Sequence, residues 1–206
     1  MIDKLIIVLS VFACSFSYGQ ENLKNYNGLY TGIEFGSNYM FGGAQVDKKE
    51  TIGDGNVPIA GVLFGWRKAY ASNFHFAIEF QLNMPFGSFA NTENEDGTIV
   101  SYEIKPQSAL QFNLGYTFGA KRNSLLFGYF AFNQTRFNID ITRPSGDFKQ
   151  TDFENFGRVG LGYEYVFLKS FSTRIMLGTS MDALPDTDNG IDGKIALIYN
   201  FKKNEN

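Results

Sequence analysis

From Phe74 to Met84 the chain alternates without a break. Phe74, Phe76, Ile78, Phe80, Leu82 and Met84 take the even positions; His75, Ala77, Glu79, Gln81 and Asn83 take the odd ones. Successive side chains of a β-strand point to opposite faces, so this segment has one wholly apolar side and one largely polar side. Its length also matches what a tilted strand needs to cross a bilayer. A chain carrying several such segments folds either as a soluble β-structure with one face buried or as a barrel with one face in lipid.

The N-terminus favours export. Residues 1–20 read as a cleaved signal peptide: Lys4 supplies the charged start, Leu5–Ala13 a short apolar core, and Ser17-Tyr18-Gly19 the small residues before a cut. The apolar run is too short for a spanning helix. Residues 21–206 then form one domain. The only cysteine, Cys14, lies inside the signal, so the mature chain is expected to lack thiol and disulfide chemistry. A rival reading makes Val11-Phe12-Ala13-Cys14 a lipidation box with Cys14 as anchor; Phe12 before the last small residue fits that poorly.

Composition then decides between the two β-architectures. The mean hydropathy of −0.17 is not that of a hydrophobic protein, yet 22 Phe, 11 Tyr and 22 Gly are high for a soluble domain of this size. A transmembrane barrel reconciles the two, because half of each strand's residues face lipid while the other half are polar. The net charge of −3 argues against a nucleic-acid partner, which calls for a basic stripe.

Strands are expected at 28–38, 57–68, 74–84, 100–118, 125–138, 153–167, 171–181 and 193–201, eight in all, the fifth being the least regular. The connections alternate. Short turns at 68–73, 119–123 and 168–170 face long polar loops at 38–56, 85–99, 139–152 and 182–192. That asymmetry belongs to an outer-membrane barrel with its long loops outside the cell.

Two regularities not used to draw the strands agree with this. Trp66, Phe74, Phe118, Phe127, Phe167, Phe171 and Phe201 flank the short turns on the lipid-facing parity, making an expected periplasmic aromatic girdle. The glycines within strands (32, 36, 61, 65, 115, 128, 160, 162 and 178) fall on the other parity. An eight-stranded barrel is only wide enough for side chains to fill it, so large lumen residues need small ones opposite.

On these features the chain resembles the small OmpA/OmpX-like outer-membrane β-barrels, the outer membrane protein beta-barrel domain family. The most specific piece is Lys194-Ile195-Ala196-Leu197-Ile198-Tyr199-Asn200-Phe201, similar to that family's C-terminal assembly signal with its terminal aromatic; here Lys202–Asn206 follow the Phe. The resemblance implies an all-β, eight-stranded antiparallel up-and-down transmembrane barrel inserted by the barrel assembly machinery, among outer-membrane lipid and lipopolysaccharide. It implies no single function.

Lumen-parity charges are the main candidate site: Glu34, Glu79 and Glu164 against Arg136, Arg158, Arg174 and Lys194, among Gln81, Asn83, Gln111 and Asn113. Charges of both signs in a narrow interior are expected to pair and plug the barrel, since an unpaired buried charge is costly. Barrel hydrolases of the kind the chain resembles rely on a histidine, so an enzyme of that type here must use His75, the only one, yet it sits just after a short turn, at the end away from the external rim. Asp182, Asp186, Asp188 and Asp192 crowd the last loop, but Gly190 and Ile191 spoil a calcium-loop spacing; with Glu93, Glu95 and Asp96 they read as an acidic outer face. No metal or cofactor is expected. The expected role is non-enzymatic, structural or surface-interacting through loops 38–56, 85–99, 139–152 and 182–192. The alternatives are a narrow channel or carrier, a surface lipid hydrolase or acyltransferase, and a soluble lipocalin-like barrel, which leaves the aromatic ring unexplained.

Overall fold

The computed structural model describes residues 26–40, 45–46, 50–51, 55–86, 89–93, 97–119, 121–168, 170–181 and 190–201. The expected signal peptide (residues 1–20) with Cys14, and Glu95, Asp96, Asp182, Asp186, Asp188 and residues 202–206, lie outside the described residues.

In chain order the strands are β1 (Gly28–Met40), β2 (Gln45–Val46), β3 (Glu50–Thr51), β4 (Gly55–Ala69), β5 (Phe74–Pro85), β6 (Phe89–Glu93), β7 (Ile99–Ile104), β8 (Gln107–Phe118), β9 (Ser124–Arg143), β10 (Gly146–Leu168), β11 (Phe171–Met181) and β12 (Gly190–Asn200). Eight of them, β1, β4, β5, β8, β9, β10, β11 and β12, are staves of one antiparallel meander. β1 closes it by pairing with β12, from Tyr30↔Asn200 to Met40↔Gly190. Closure leaves no open edge among the staves, and so no unpaired backbone row facing lipid.

The short turns are tight. Asn73 takes a left-handed φ of 68° and donates its N–H to the Tyr70 carbonyl at 2.9 Å, a conformation asparagine tolerates better than most residues. Arg122, at φ 47°, does the same to Gly119.

At the other end the strands outrun the expected loops. Residues 139–152 are no loop: β9 and β10 stay paired up to Arg143↔Gly146, turning on Pro144-Ser145 alone. The expected strand 100–118 is broken at Lys105-Pro106 into β7 and β8, both lying along β9. Proline has no N–H to give a ladder and interrupts it there. β6 pairs with β7, so the loop expected at 85–99 is largely a second short hairpin. The loop expected at 38–56 holds the β2–β3 ladder, with β1 extending to Met40.

The alternation of β5 is visible in its burial: the Phe74 set faces out and the His75 set faces in. Glycines set the bore. A Cβ on Gly65 would lie 2.6 Å from the Tyr30 ring, and one on Gly160 2.6 Å from the Tyr129 ring. β9 runs opposite to expectation. Leu126, Phe130 and Phe132 are outside, whereas Phe127 is 2% exposed and sits in the lumen against Gly115 and Gly162. Phe127 is therefore not a girdle residue, and Gly128 is not a lumen glycine. The physical reason is volume: only the absence of Cβ atoms at Gly115 and Gly162 leaves room for the Phe127 ring.

Candidate functional site in the barrel lumen

The lumen is filled in layers. At the short-turn end Tyr26, just ahead of β1, turns inward and packs with Leu125, Phe127, Val166 and Met176. Its hydroxyl donates to the Asn123 carbonyl at 2.8 Å. Above, Tyr30, Leu63, Ala77, Ala196 and Ile198 form a second apolar cluster.

Between and over these clusters runs a chain of ion pairs. Arg174, from β11, donates Nη1 to Glu79 of β5 at 2.6 Å and Nε to Glu164 of β10 at 3.0 Å. Arg67, from β4, donates Nη1 to the other Glu164 oxygen at 2.7 Å, and Ser172 adds a hydroxyl donor at 2.5 Å. Both guanidiniums lie over aromatic rings: Arg67 is 4.6 Å from the Tyr30 centroid and Arg174 5.2 Å from that of Phe127. Glu79 also accepts from Gln111 at 3.1 Å and from Asn113, and Gln81 donates to Gln111 at 3.0 Å. Nearer the long-loop end Lys194 bridges Glu34 at 2.8 Å and Gln81 at 3.4 Å. Arg158 holds Asp192 through two contacts, one at 3.1 Å.

The described lumen thus balances four cations, Arg67, Arg158, Arg174 and Lys194, against four carboxylates, Glu34, Glu79, Glu164 and Asp192, every one of them buried. In so narrow a space each charge needs an opposite partner and further hydrogen bonds to offset lost hydration. The arrangement supplies both, and it ties β4, β5, β10 and β11 together across the bore.

Two expectations about charge are corrected. Arg136 is outside the barrel, its guanidinium 4.4 Å from the Phe153 ring centroid, because the parity of β9 is reversed. Asp192 is no loop acid on an anionic outer face: it lies within β12, is 4% exposed, and its carboxylate is committed to Arg158. Its parity with Lys194 was the available signal. Arg67 and Tyr26 were not anticipated either. Arg67 shares the inward parity of Gly61 and Gly65, whereas Tyr26 precedes the first alternating segment and carries no periodic signal.

His75 is buried at the short-turn end, edge-on to Tyr26 with centroids 5.9 Å apart. Neither ring nitrogen has a hydrogen-bond partner among the described residues. On the outer wall Trp66, Phe74, Phe118, Phe167, Phe171 and Phe201 are all exposed near the short turns, and Leu126 stands where Phe127 was expected. Among the described residues no group of three or more His, Cys, Asp or Glu side chains is arranged to hold a metal.

Among solved structures the chain is similar to the outer membrane protein OprG from Pseudomonas aeruginosa, with TM-score 0.50 and 13% identity over 89% of this chain and 100% of that one. It is also similar to Ail, the attachment invasion locus protein of Yersinia pestis (0.49 and 10%, over 85% and 99%), and to the outer membrane protease OmpT from Escherichia coli (0.43 and 10%, over 88% and 99%). At such identities the likeness to OprG shows the fold alone. Curated protein sequences give no significant match. The model of the outer membrane protein beta-barrel domain matches residues 6–197, and with the closed eight-stave meander described above the chain belongs to that family.

Proposed function

We propose that this protein is a non-enzymatic, plugged barrel of a Gram-negative outer membrane, exported by a cleaved signal, with a structural or surface-interaction role at its long-loop end. The observation that carries this is the Arg67–Glu164–Arg174–Glu79 chain, which crosses the bore with every member at most 1% exposed. An ion entering would have to displace partners that hold buried charge, at a cost of several kcal/mol each. The β9–β10 and β6–β7 hairpins supply paired strand surface at the long-loop end. On this reading the partners are outer-membrane lipid and lipopolysaccharide around the wall, the barrel assembly machinery during insertion, and a surface ligand at the loops.

His75 offers poor ground for a hydrolase, since it lies inside the short-turn end. The test is single-channel recording in planar bilayers of protein whose folding is verified by a heat-modifiability gel. The expected trace has no reproducible steps. Discrete ohmic steps from folded protein would overturn the plug and favour a narrow channel.

A further inference from the structure

The break between β7 and β8 does more than interrupt a ladder. It opens a notch of about 430 Å³ lined by both outward and rim residues, among them Lys105, Ser108, Gln134, Arg136, Asn138 and Phe153. The Lys105 N–H donates to the Arg136 carbonyl at 2.8 Å, so the backbone places two cation-bearing residues side by side across the gap. The Arg136 guanidinium lies over the ring of Phe153, its cross-strand partner, 4.4 Å from the centroid, and forms no ion pair among the described residues. Lys105 Nζ contacts Glu103 at 2.7 Å, with both side chains substantially exposed, at 36% and 47%. Asn138 donates to the same Glu103 carboxylate at 3.4 Å. Counted together, Lys105, Arg136 and Glu103 leave the notch with one net positive charge.

Its height on the wall indicates what it meets. Directly below, Leu110 and Phe132 are cross-strand partners on the outer face, both exposed, and begin the apolar belt. One outward step higher come Ser108 and Gln134, also paired, and the next residue outward on β9 is Arg136. Four residues from Phe132 to Arg136 span about 13 Å of strand, or roughly 9 Å of height at a tilt near 45°. That is the distance from acyl chains into the headgroup layer. A guanidinium held over a ring by cation–π attraction keeps its N–H donors for oxygen acceptors, and phosphate offers three.

We propose that this notch seats a phosphate group of an outer-leaflet glycolipid, with Arg136 as the fixed donor, Lys105 as the second cation, and the acyl chains along Leu110 and Phe132. The inference rests on the proposed orientation, long loops outward. Occupancy leaves the lumen ion pairs untouched, since none of their residues lines the notch.

The experiment is native mass spectrometry of detergent-solubilised protein with three probes: bisphosphorylated lipid A, the same lipid with both phosphates removed, and inorganic phosphate. Wild type is expected to retain bisphosphorylated lipid A at least about tenfold better than the dephosphorylated form, the size of one charge-assisted hydrogen bond. Arg136→Gln and Lys105→Gln are each expected to lower that retention by about tenfold. Glu103→Gln, which frees Lys105, should raise it. Lys149→Gln, which removes an exposed cation nearer the tip of the same β9–β10 hairpin and outside the notch lining, should leave it unchanged. Equal retention of the two lipids, retention that survives both notch variants, or inorganic phosphate binding as well as the lipid would each overturn the proposal. A fourth arm with phosphatidylglycerol separates the two readings. Preference for that lipid over lipid A, in protein that is folded and silent in bilayers, overturns the notch assignment while leaving the plug standing.

Discussion

Replacing Arg174 by Met tests the plug most directly. The substitution keeps an apolar stem against Phe127 and removes a guanidinium shared by Glu79 and Glu164. The two carboxylates are not left alike. Glu164 retains Arg67 at 2.7 Å and the Ser172 hydroxyl, whereas Glu79 keeps only the amides of Gln111 and Asn113. One fully buried carboxylate therefore loses its cation, and removing one partner of such a pair costs about 3–5 kcal/mol. We expect Arg174→Met to lower the unfolding free energy by about 3 kcal/mol, the low end, because Met recovers part of the packing. Adding Glu79→Gln removes the stranded charge while keeping amide hydrogen bonds, so the double variant should cost only about 1 kcal/mol, about 2 kcal/mol less than Arg174→Met alone and therefore non-additive. The assay is urea unfolding in lipid vesicles, followed by fluorescence of Trp66, the only tryptophan, and by the gel shift of folded barrel. Raising salt from about 0.05 to about 0.5 M should change these differences little, because screening acts on exposed pairs. A single-variant cost below about 1 kcal/mol, the range of surface ion pairs, would refute the reasoning. So would additive effects in the double variant.

Other outcomes follow from particular contacts. Gly162→Ala drives a methyl into the edge of the Phe127 ring and should cost about 1–3 kcal/mol, relieved by Phe127→Leu; Gly128→Ala, whose nearest neighbours are 3.8 and 3.9 Å away, should be neutral within about 0.5 kcal/mol. Equal costs at the two glycines in the same unfolding assay would contradict the assigned face of β9. Trp66 projects from the wall beside a short turn, so spin-labelled lipids carrying the label near the headgroup should quench it more than labels near the methyl terminus. Stronger quenching from the deep label would move that ring out of the interface. His75→Leu removes two unpartnered nitrogens from a buried site and should shift stability by less than about 1 kcal/mol; a loss above about 2 kcal/mol would assign His75 a polar partner that the geometry lacks.

Much of the fold was legible because a barrel in lipid writes a period of two into its strands. The outer faces of β5, β8 and β12 follow from alternation alone, and the positions of the short turns from the breaks between them. Legibility failed where alternation is weak. Leu125-Leu126-Phe127 is apolar on both parities, so nothing local says which side faces in, and one wrong step misplaced Phe127, Gly128 and Arg136 together. The turn at Pro144-Ser145 was hidden for a related reason: the polar sequence of residues 139–152 suits a solvated hairpin as well as a loop.

The candidate site divides the same way. That charges of both signs face inward was readable from parity on single strands, because each strand carries its own record of which face is polar. Which charge meets which was not. Arg174 lies 95 positions from Glu79, and Lys194 lies 160 from Glu34. These pairs are set by the stagger of eight strands around a closed wall, a property of all the registers at once. The sequence by itself determined a lipid-facing and a lumen-facing set, the number of staves and the end bearing the short turns. Only the closed barrel decided that Arg67 and Asp192 join the lumen, that Arg136 leaves it, and that four cations find four carboxylates. The reason is that ion pairing depends on distances across the bore, while alternation along a strand reports only on a side chain's own face.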